Sequence, residues 1–165
     1  MRSSADASAG RLGEVTDVHT PEQRSRNMAA IKGADTKPEM LVRRALYGLG
    51  YRYRLHRKDL PGKPDIVLPK LRTVIFVHGC FWHSHDCRWG KVIPKTRAEF
   101  WTEKRGGTVT RDDRKARALE ELGWRVLTIW ECDTRNREGL PLLLQTVLAP
   151  GISLQTSGNA ICPVE

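Results

Sequence analysis

Leu60-Pro61-Gly62-Lys63-Pro64-Asp65-Ile66-Val67-Leu68, followed by Thr73-Val74-Ile75-Phe76-Val77, contains two short apolar runs separated by a Pro69-Lys70 turn. Both runs are too short for helices and rich in β-branched residues, which predicts a short strand over 65–68 and a buried strand over 73–77. Upstream, Thr36-Lys37-Pro38-Glu39 reads as a capping box. It opens a helix that carries Met40, Leu41, Ala45, Leu46 and Leu49 at helical spacing and stops at Gly50. Between that helix and the turn, Tyr51 to His56 alternates aromatic or apolar with basic residues, as a half-exposed strand does. Thr20-Pro21-Glu22-Gln23 is an earlier helix start, running to about Ile31. Downstream, residues 78–95 look irregular, and Thr96-Arg97-Ala98-Glu99 opens a short helix through Phe100 and Trp101. A further helix is expected over Thr110–Leu122, with Ala116, Leu119 and Leu122 inward and Gly123 at its end. Trp124–Trp130 reads as a strand and 137–148 as a last helix despite Pro141. The order α-α-β-β-β-α-α-β-α predicts one α/β domain over 16–150, a central mixed sheet flanked by helices. Residues 1–15 are expected to be a disordered tail, and 151–165 a second tail without pattern.

A chain of 165 residues with 39% hydrophobic and 28% charged residues suits a single packed domain and argues against global disorder. No run of about 18 apolar residues occurs, so no membrane-spanning helix is expected. The N-terminus lacks the apolar stretch of a secretory signal, and four cysteines are too few for a disulfide scaffold. A cytoplasmic, reduced protein is the expectation. The net charge of +9 is uneven. Residues 43–72 hold nine basic and two acidic side chains, and 88–117 hold ten basic and four acidic. These blocks flank an almost uncharged segment, a pattern that suits a polyanion such as nucleic acid, with the central segment as the working site. Solubility alone is the plainer alternative.

The central segment is His78-Gly79-Cys80-Phe81-Trp82-His83-Ser84-His85-Asp86-Cys87. Two cysteines and three histidines within ten residues point to a metal. Cys80, His85 and Cys87, with Cys132 from the end of the last strand, supply the Cys3His set of a structural Zn²⁺ site that staples the loop to the sheet. His78 or His83 could stand in for His85, and Cys162 for Cys132. Four protein ligands leave no open position for catalysis by that ion. Asp65, at a strand opening near His78, is a candidate Mg²⁺ ligand, although a turn carboxylate that caps backbone N–H groups reads the same way.

These motifs, in this order, resemble the very-short-patch-repair (Vsr) DNA mismatch endonuclease family. The resemblance is carried by Leu60–Asp65, Val74–His83, Cys87, Gly123–Leu127 and Trp130-Glu131-Cys132. Arg24-Ser25-Arg26-Asn27-Met28 and Thr96–Trp101 also fit, so it spans about Val18 to Leu140. It implies a restriction-endonuclease-like fold of the PD-(D/E)xK group, with a zinc-stapled loop. It further implies Mg²⁺-dependent nicking of one DNA strand 5′ to the T of a T·G mismatch, the lesion left when 5-methylcytosine deaminates.

By position, the resemblance makes Asp65 and the main-chain carbonyl of Val77 the Mg²⁺ ligands. His78 and His83 line the scissile phosphate, with His83 as the proton-transfer group and Glu39 as supporting acid. Phe81, Trp82 and Trp101 correspond to an aromatic wedge inserted beside the mismatch. The usual second carboxylate and lysine of the wider nuclease group are missing, with Phe76 and His78 near their places. The implied partners are double-stranded DNA with a T·G mismatch, a cognate cytosine-5 methyltransferase system and mismatch-repair proteins. The implied setting is a monomer in the cytoplasm, at the nucleoid when acting on DNA. Two rivals are a zinc-stapled DNA-binding module without chemistry, and a restriction or junction-resolving enzyme on the same fold. Asp65 argues against the first, and the DNA substrate separates the second.

Overall fold

The computed structural model describes residues 33–94 and 97–149, and residues 20, 22, 23 and 26 ahead of them. The chain divides into two compact units, 1–31 and 32–165. In the first, Glu22, Gln23 and Arg26 are helical. The Thr20 amide donates to Gln23 Oε1 (2.9 Å) and the Gln23 amide to Thr20 Oγ1 (3.2 Å), the reciprocal pair of a capping box. The expectations at Arg24, Ser25, Asn27, Met28, Thr96 and Cys162, and for the two tails, lie outside the described residues.

The second unit runs α1 (Lys37–Gly48), β1 (Arg54–Leu55), β2 (Ile66–Leu68), β3 (Thr73–His78), α2 (Ala98–Glu121), β4 (Arg125–Trp130) and α3 (Leu140–Leu148). The sheet order is β1-β2-β3-β4. The first two pairings are antiparallel and β3–β4 is parallel, so the sheet is mixed as expected. The parallel pair needs a long crossover, and the loop after β3 together with α2 provides it.

Period-two alternation sorts the strands onto two cores. Ile66, Leu68, Ile75, Leu127 and Ile129 face α1 and α3, where they meet Val42, Leu46, Leu140 and Leu144. Val67, Val74, Phe76 and Val126 face the other way, against Leu119 of α2. The result is a sheet between two helical layers.

Four local expectations are corrected. Residues 98–121 form one continuous helix of 24 residues instead of two short ones. Gly106 and Gly107 weaken it locally, by about 1 kcal/mol each relative to alanine, but tertiary contacts hold both ends. Arg105 is bonded into the preceding loop and Leu119 is fully buried in the core. Among the described residues the helix has no side-chain cap: Arg97 precedes it in the left-handed region (φ 58°). Leu122 falls just past the helix end and is 52% exposed, not inward. The strand expected over 51–56 shrinks to Arg54–Leu55, because His56 turns to φ 44° and leaves the ladder. The last helix begins at Leu140, with Pro141 in its first turn, where a missing N–H breaks no bond.

Among the described residues, no helix is long and apolar enough to cross a membrane.

Candidate active site and metal centre

Antiparallel pairing of β2 with β3 places the start of β2 beside the end of β3, so Asp65 and His78 come to one end of the sheet. Asp65 is held there by its neighbour strand: the Val77 amide donates to Asp65 Oδ2 at 2.8 Å. Burial raises the Asp65 pKa against the lowering effect of that bond, and the negative charge of Glu39 raises it further. The charges of His56 and Arg43 pull the other way, so one carboxylate oxygen is fixed by backbone in a partly buried site of mixed charge.

Glu39 is 3% exposed, at the N-terminal turn of α1. Its carboxylate accepts from the Thr36 hydroxyl (2.7 Å) and amide (3.4 Å), the Asp35 amide (3.0 Å) and Arg43 Nη2 (2.9 Å). The capping box expected at Thr36–Glu39 forms, so the capping role and proximity to Asp65 coexist in one side chain. The same Arg43 nitrogen lies 3.0 Å from His56 Nε2. Asp35, Glu39 and His56 form an acid–histidine group, but the Arg43 guanidinium is bonded to all three.

On the other side of β3, His78 and His83 stack with ring centroids 3.8 Å apart and 9° between planes. Burial, then the neighbouring His83, pulls the His78 pKa down to about 3, so it is a neutral imidazole at ordinary pH. His83 Nδ1 is 2.5 Å from Asp112 Oδ2, and Lys115 Nζ is 3.0 Å from Asp112 Oδ1. Burial opposes ionisation of Asp112, but the hydrogen bonds from His83 and Lys115 outweigh it and hold its carboxyl at about 2. An ionised carboxylate only accepts, so His83 carries its proton on Nδ1 and turns Nε2 away from Asp112. The dyad opens into a cleft of about 580 Å³ lined also by Thr128, Trp130 and Lys115.

Cys80, His85, Cys87 and Cys132 are all buried, and their ligand atoms lie within 4.8 Å of one another. His85 Nδ1 is 3.4 Å from Cys132 Sγ. Burial pushes the Cys80 thiol up to about 11 and raises Cys132 as well. At Cys87 burial acts the same way, but bonds from the Gly90 and Trp89 backbone and from the other two cysteines outweigh it. The pocket by itself therefore favours a thiolate at Cys87 and not at the other two. A soft divalent cation supplies the charge that would favour all three, and three sulfurs with one imidazole are the donor set that Zn²⁺ takes. The loop closes tightly here: a Cβ on Gly90 would sit 1.9 Å from the His85 carbonyl oxygen. His85 stacks on Trp130 (4.1 Å), and Trp130 meets His78 edge-on (5.5 Å), so ring contacts run from this cluster to the histidine pair.

Phe81, Trp82 and Trp101 form a further ring cluster with centroids 5.1 to 5.9 Å apart, two rings from the loop and one from α2. All three are partly exposed. They therefore sit together at the surface beside the loop.

The family profile described as DNA mismatch endonuclease Vsr matches residues 16–89. The chain is 51% identical over 126 residues to the DNA mismatch endonuclease Vsr of Escherichia coli, covering 76% of this chain and 80% of the relative. It is 47% identical over 136 residues to the type II nicking enzyme V.XorIIP of Xanthomonas oryzae pv. oryzae, covering 82% of this chain and 99% of the relative. The type II nicking enzyme V.NmeAIP of Neisseria meningitidis is 46% identical over 123 residues, 74% of this chain and 87% of that one.

The chain belongs to the Vsr endonuclease family.

A Vsr-family chain is an endonuclease acting on DNA. Within this Vsr domain, the structure brings Asp65 to the Val77 backbone, His78 to His83, the four Cys and His residues together, and the three aromatic rings together. Sequence reasoning missed Asp112 and Lys115. A signal existed for Asp112. It lies on the same inward stripe as Ala116 and Leu119, at i+4 and i+7, and an acid on an apolar stripe needs a buried partner.

Proposed function

We propose that this Vsr-family endonuclease nicks one DNA strand 5′ to the T of a T·G mismatch produced by deamination of 5-methylcytosine. The observations that carry the reading are the Asp65 carboxylate held by the Val77 amide near one end of the sheet and, on the other side of β3, the His78–His83–Asp112 group, with the aromatic cluster on the following loop and α2. A pure DNA-binding module has no use for a partly buried carboxylate fixed by backbone at the end of the sheet. The domain is a restriction-endonuclease-like fold with a reduced PD-(D/E)xK set: Asp65 alone stands for the acids.

Asp65 and the Val77 main-chain carbonyl are the residues that would hold Mg²⁺. A single fixed carboxylate suits an ion that keeps most of its waters and takes others from phosphate. Mg²⁺ bound there supplies Lewis-acid polarisation of the scissile phosphate and stabilises the leaving oxygen. The chain's own residues do the rest. Glu39 already accepts four hydrogen bonds, so it acts as a fixed negative neighbour of Asp65. Asp112 orients His83, whose Nε2 moves a proton at the reacting phosphodiester. His78, neutral, braces the His83 ring and presents polar nitrogen without adding charge. Cys80, His85, Cys87 and Cys132 would hold a structural Zn²⁺, an ion without catalytic duty of its own that makes the loop carrying His83 rigid.

Phe81, Trp82 and Trp101 enter the base stack beside the lesion, where a T·G pair is cheaper to open than a Watson–Crick pair. The two basic blocks grip phosphates on either side, a sequence-independent contribution to affinity.

The test is nicking of matched, T·G and four-way-junction duplexes with Mg²⁺. Only the T·G duplex should be cut, on the T strand. Asp65→Asn keeps an acceptor for the Val77 amide, so it should fold and bind DNA as wild type while nicking is abolished. Normal nicking by Asp65→Asn would place the chemistry elsewhere, and cutting of junctions in preference to T·G would favour a resolvase.

A further inference from the structure

Helix α2 carries several arginines, and one of them is unlike the rest. Arg111, Arg114 and Arg117 are exposed, but Arg105 is 8% exposed. It begins the inward stripe that continues through Val109, Asp112, Ala116 and Leu119. Its guanidinium donates Nη1 to the Val92 carbonyl (3.0 Å) and Nη2 to the Gly90 carbonyl. Its Nε has no partner, and no carboxylate bonds to it among the described residues. The plane lies over the Phe81 ring, 4.9 Å from guanidinium carbon to centroid.

A buried cation without an acid is costly, and an apolar side chain of similar length would fill the same space without that cost. What the arginine adds is a link. It bonds the backbone of the loop where the Cys/His cluster ends, and it contacts Phe81 of the aromatic cluster. It also stands one turn beyond Trp101 on the same helix. Phe81 and Trp101 come from different elements, 5.6 Å apart, and Arg105 touches the first while sharing the helix of the second.

We propose that Arg105 is a positioning residue for mismatch discrimination: it holds Phe81 against Trp101 so that the rings enter the DNA stack as one pre-formed unit. The inference rests on the reading of Phe81, Trp82 and Trp101 as a wedge. Rigid presentation removes the ordering cost that a loose loop would impose at insertion. Because Arg105 is buried, it is not a phosphate contact, and its loss should leave the phosphate-driven binding of matched DNA nearly unchanged.

The experiment measures affinity for T·G and matched duplexes at one fixed salt concentration, without added Mg²⁺, for Arg105→Met, Arg105→Lys, Phe81→Leu and the double variant Arg105→Met/Phe81→Leu. Zinc content and circular dichroism are recorded for each. The T·G-to-matched affinity ratio should fall by about 5–30-fold in Arg105→Met, the range from an exposed to a desolvated cation–π contact. Arg105→Lys should recover part of it, and the double variant should be no worse than Phe81→Leu. An unchanged ratio in the Arg105 variants, with a reduced one in Phe81→Leu, overturns the inference and leaves the wedge standing. An unchanged ratio in Phe81→Leu overturns the wedge reading itself. A fall in ratio accompanied by zinc loss makes Arg105 a prop of the loop and likewise overturns the inference. Should Arg105→Met aggregate, Arg105→Lys carries the same comparison, and it must show a reduced ratio with zinc retained.

Discussion

Asp112 binds His83 with one carboxylate oxygen and Lys115 with the other, so its geometry is set from two sides. Asp112→Asn can present an N–H to His83 and so stabilise the wrong tautomer, with Nε2 protonated at the wrong stage. Nicking of a T·G duplex should fall by about 10²–10⁴-fold, the worth of a positioned acid–base group, with DNA affinity unchanged. Equal rates would show that the dyad is structural. The same carboxyl has a stability signature. Its folded pKa of about 2 lies below the ordinary 3.8. The ionised form therefore stabilises the fold fully above about pH 4, and that contribution disappears as pH falls towards 2. The stability difference between wild type and Asp112→Asn in urea should accordingly narrow between pH 4 and 2.5. A constant difference across that range would remove Asp112 from acid denaturation.

The loop and α2 make opposite demands on glycine. Gly90 is pressed against the His85 backbone, where no side chain can yield, so Gly90→Ala should displace the loop and lower the zinc content of purified protein. A Cβ on Gly106 meets nothing within 4 Å. Gly106→Ala should therefore stabilise α2 by about 0.5–1 kcal/mol, read as a higher urea midpoint with zinc unchanged. If Gly106→Ala destabilises, the helix bends at that point in a way the alanine opposes. The continuity of α2 was hidden by its two adjacent glycines and by a capping signal at Thr96. Weak local propensity was overridden because the helix is anchored at Arg105 and Leu119. By contrast, the start of α1 was legible residue by residue, since a capping box is satisfied within four residues of chain.

The molecule joins its two apolar faces through one sheet, yet the end of β4 meets the loop after β3 through the cluster that includes Cys132. That residue is the cluster's only ligand from outside the loop. Cys132→Ala should release the roughly one zinc per chain that a Cys3His site holds, measured by metal analysis, and the protein should aggregate. Zinc retained at the wild-type level would exclude Cys132 from the ligand set.

The sequence by itself determined the patterns that chain neighbours set. These are the short β-branched runs that become β2, β3 and β4, the helix start at Thr36–Glu39, the spacing of Cys80, His85 and Cys87, and the motif order that marks the Vsr family. Such features follow from backbone stereochemistry and from side chains a few residues apart. Only the tertiary structure decided which distant groups meet. His83 finds Asp112 across 29 residues, Glu39 is saturated by Thr36, Asp35 and Arg43 while its charge acts on Asp65, and Arg105 lies over Phe81 from a helix that sequence reading had divided in two. Those contacts depend on how the packed layers set α2 against the sheet and the loop, and no local periodicity encodes that placement.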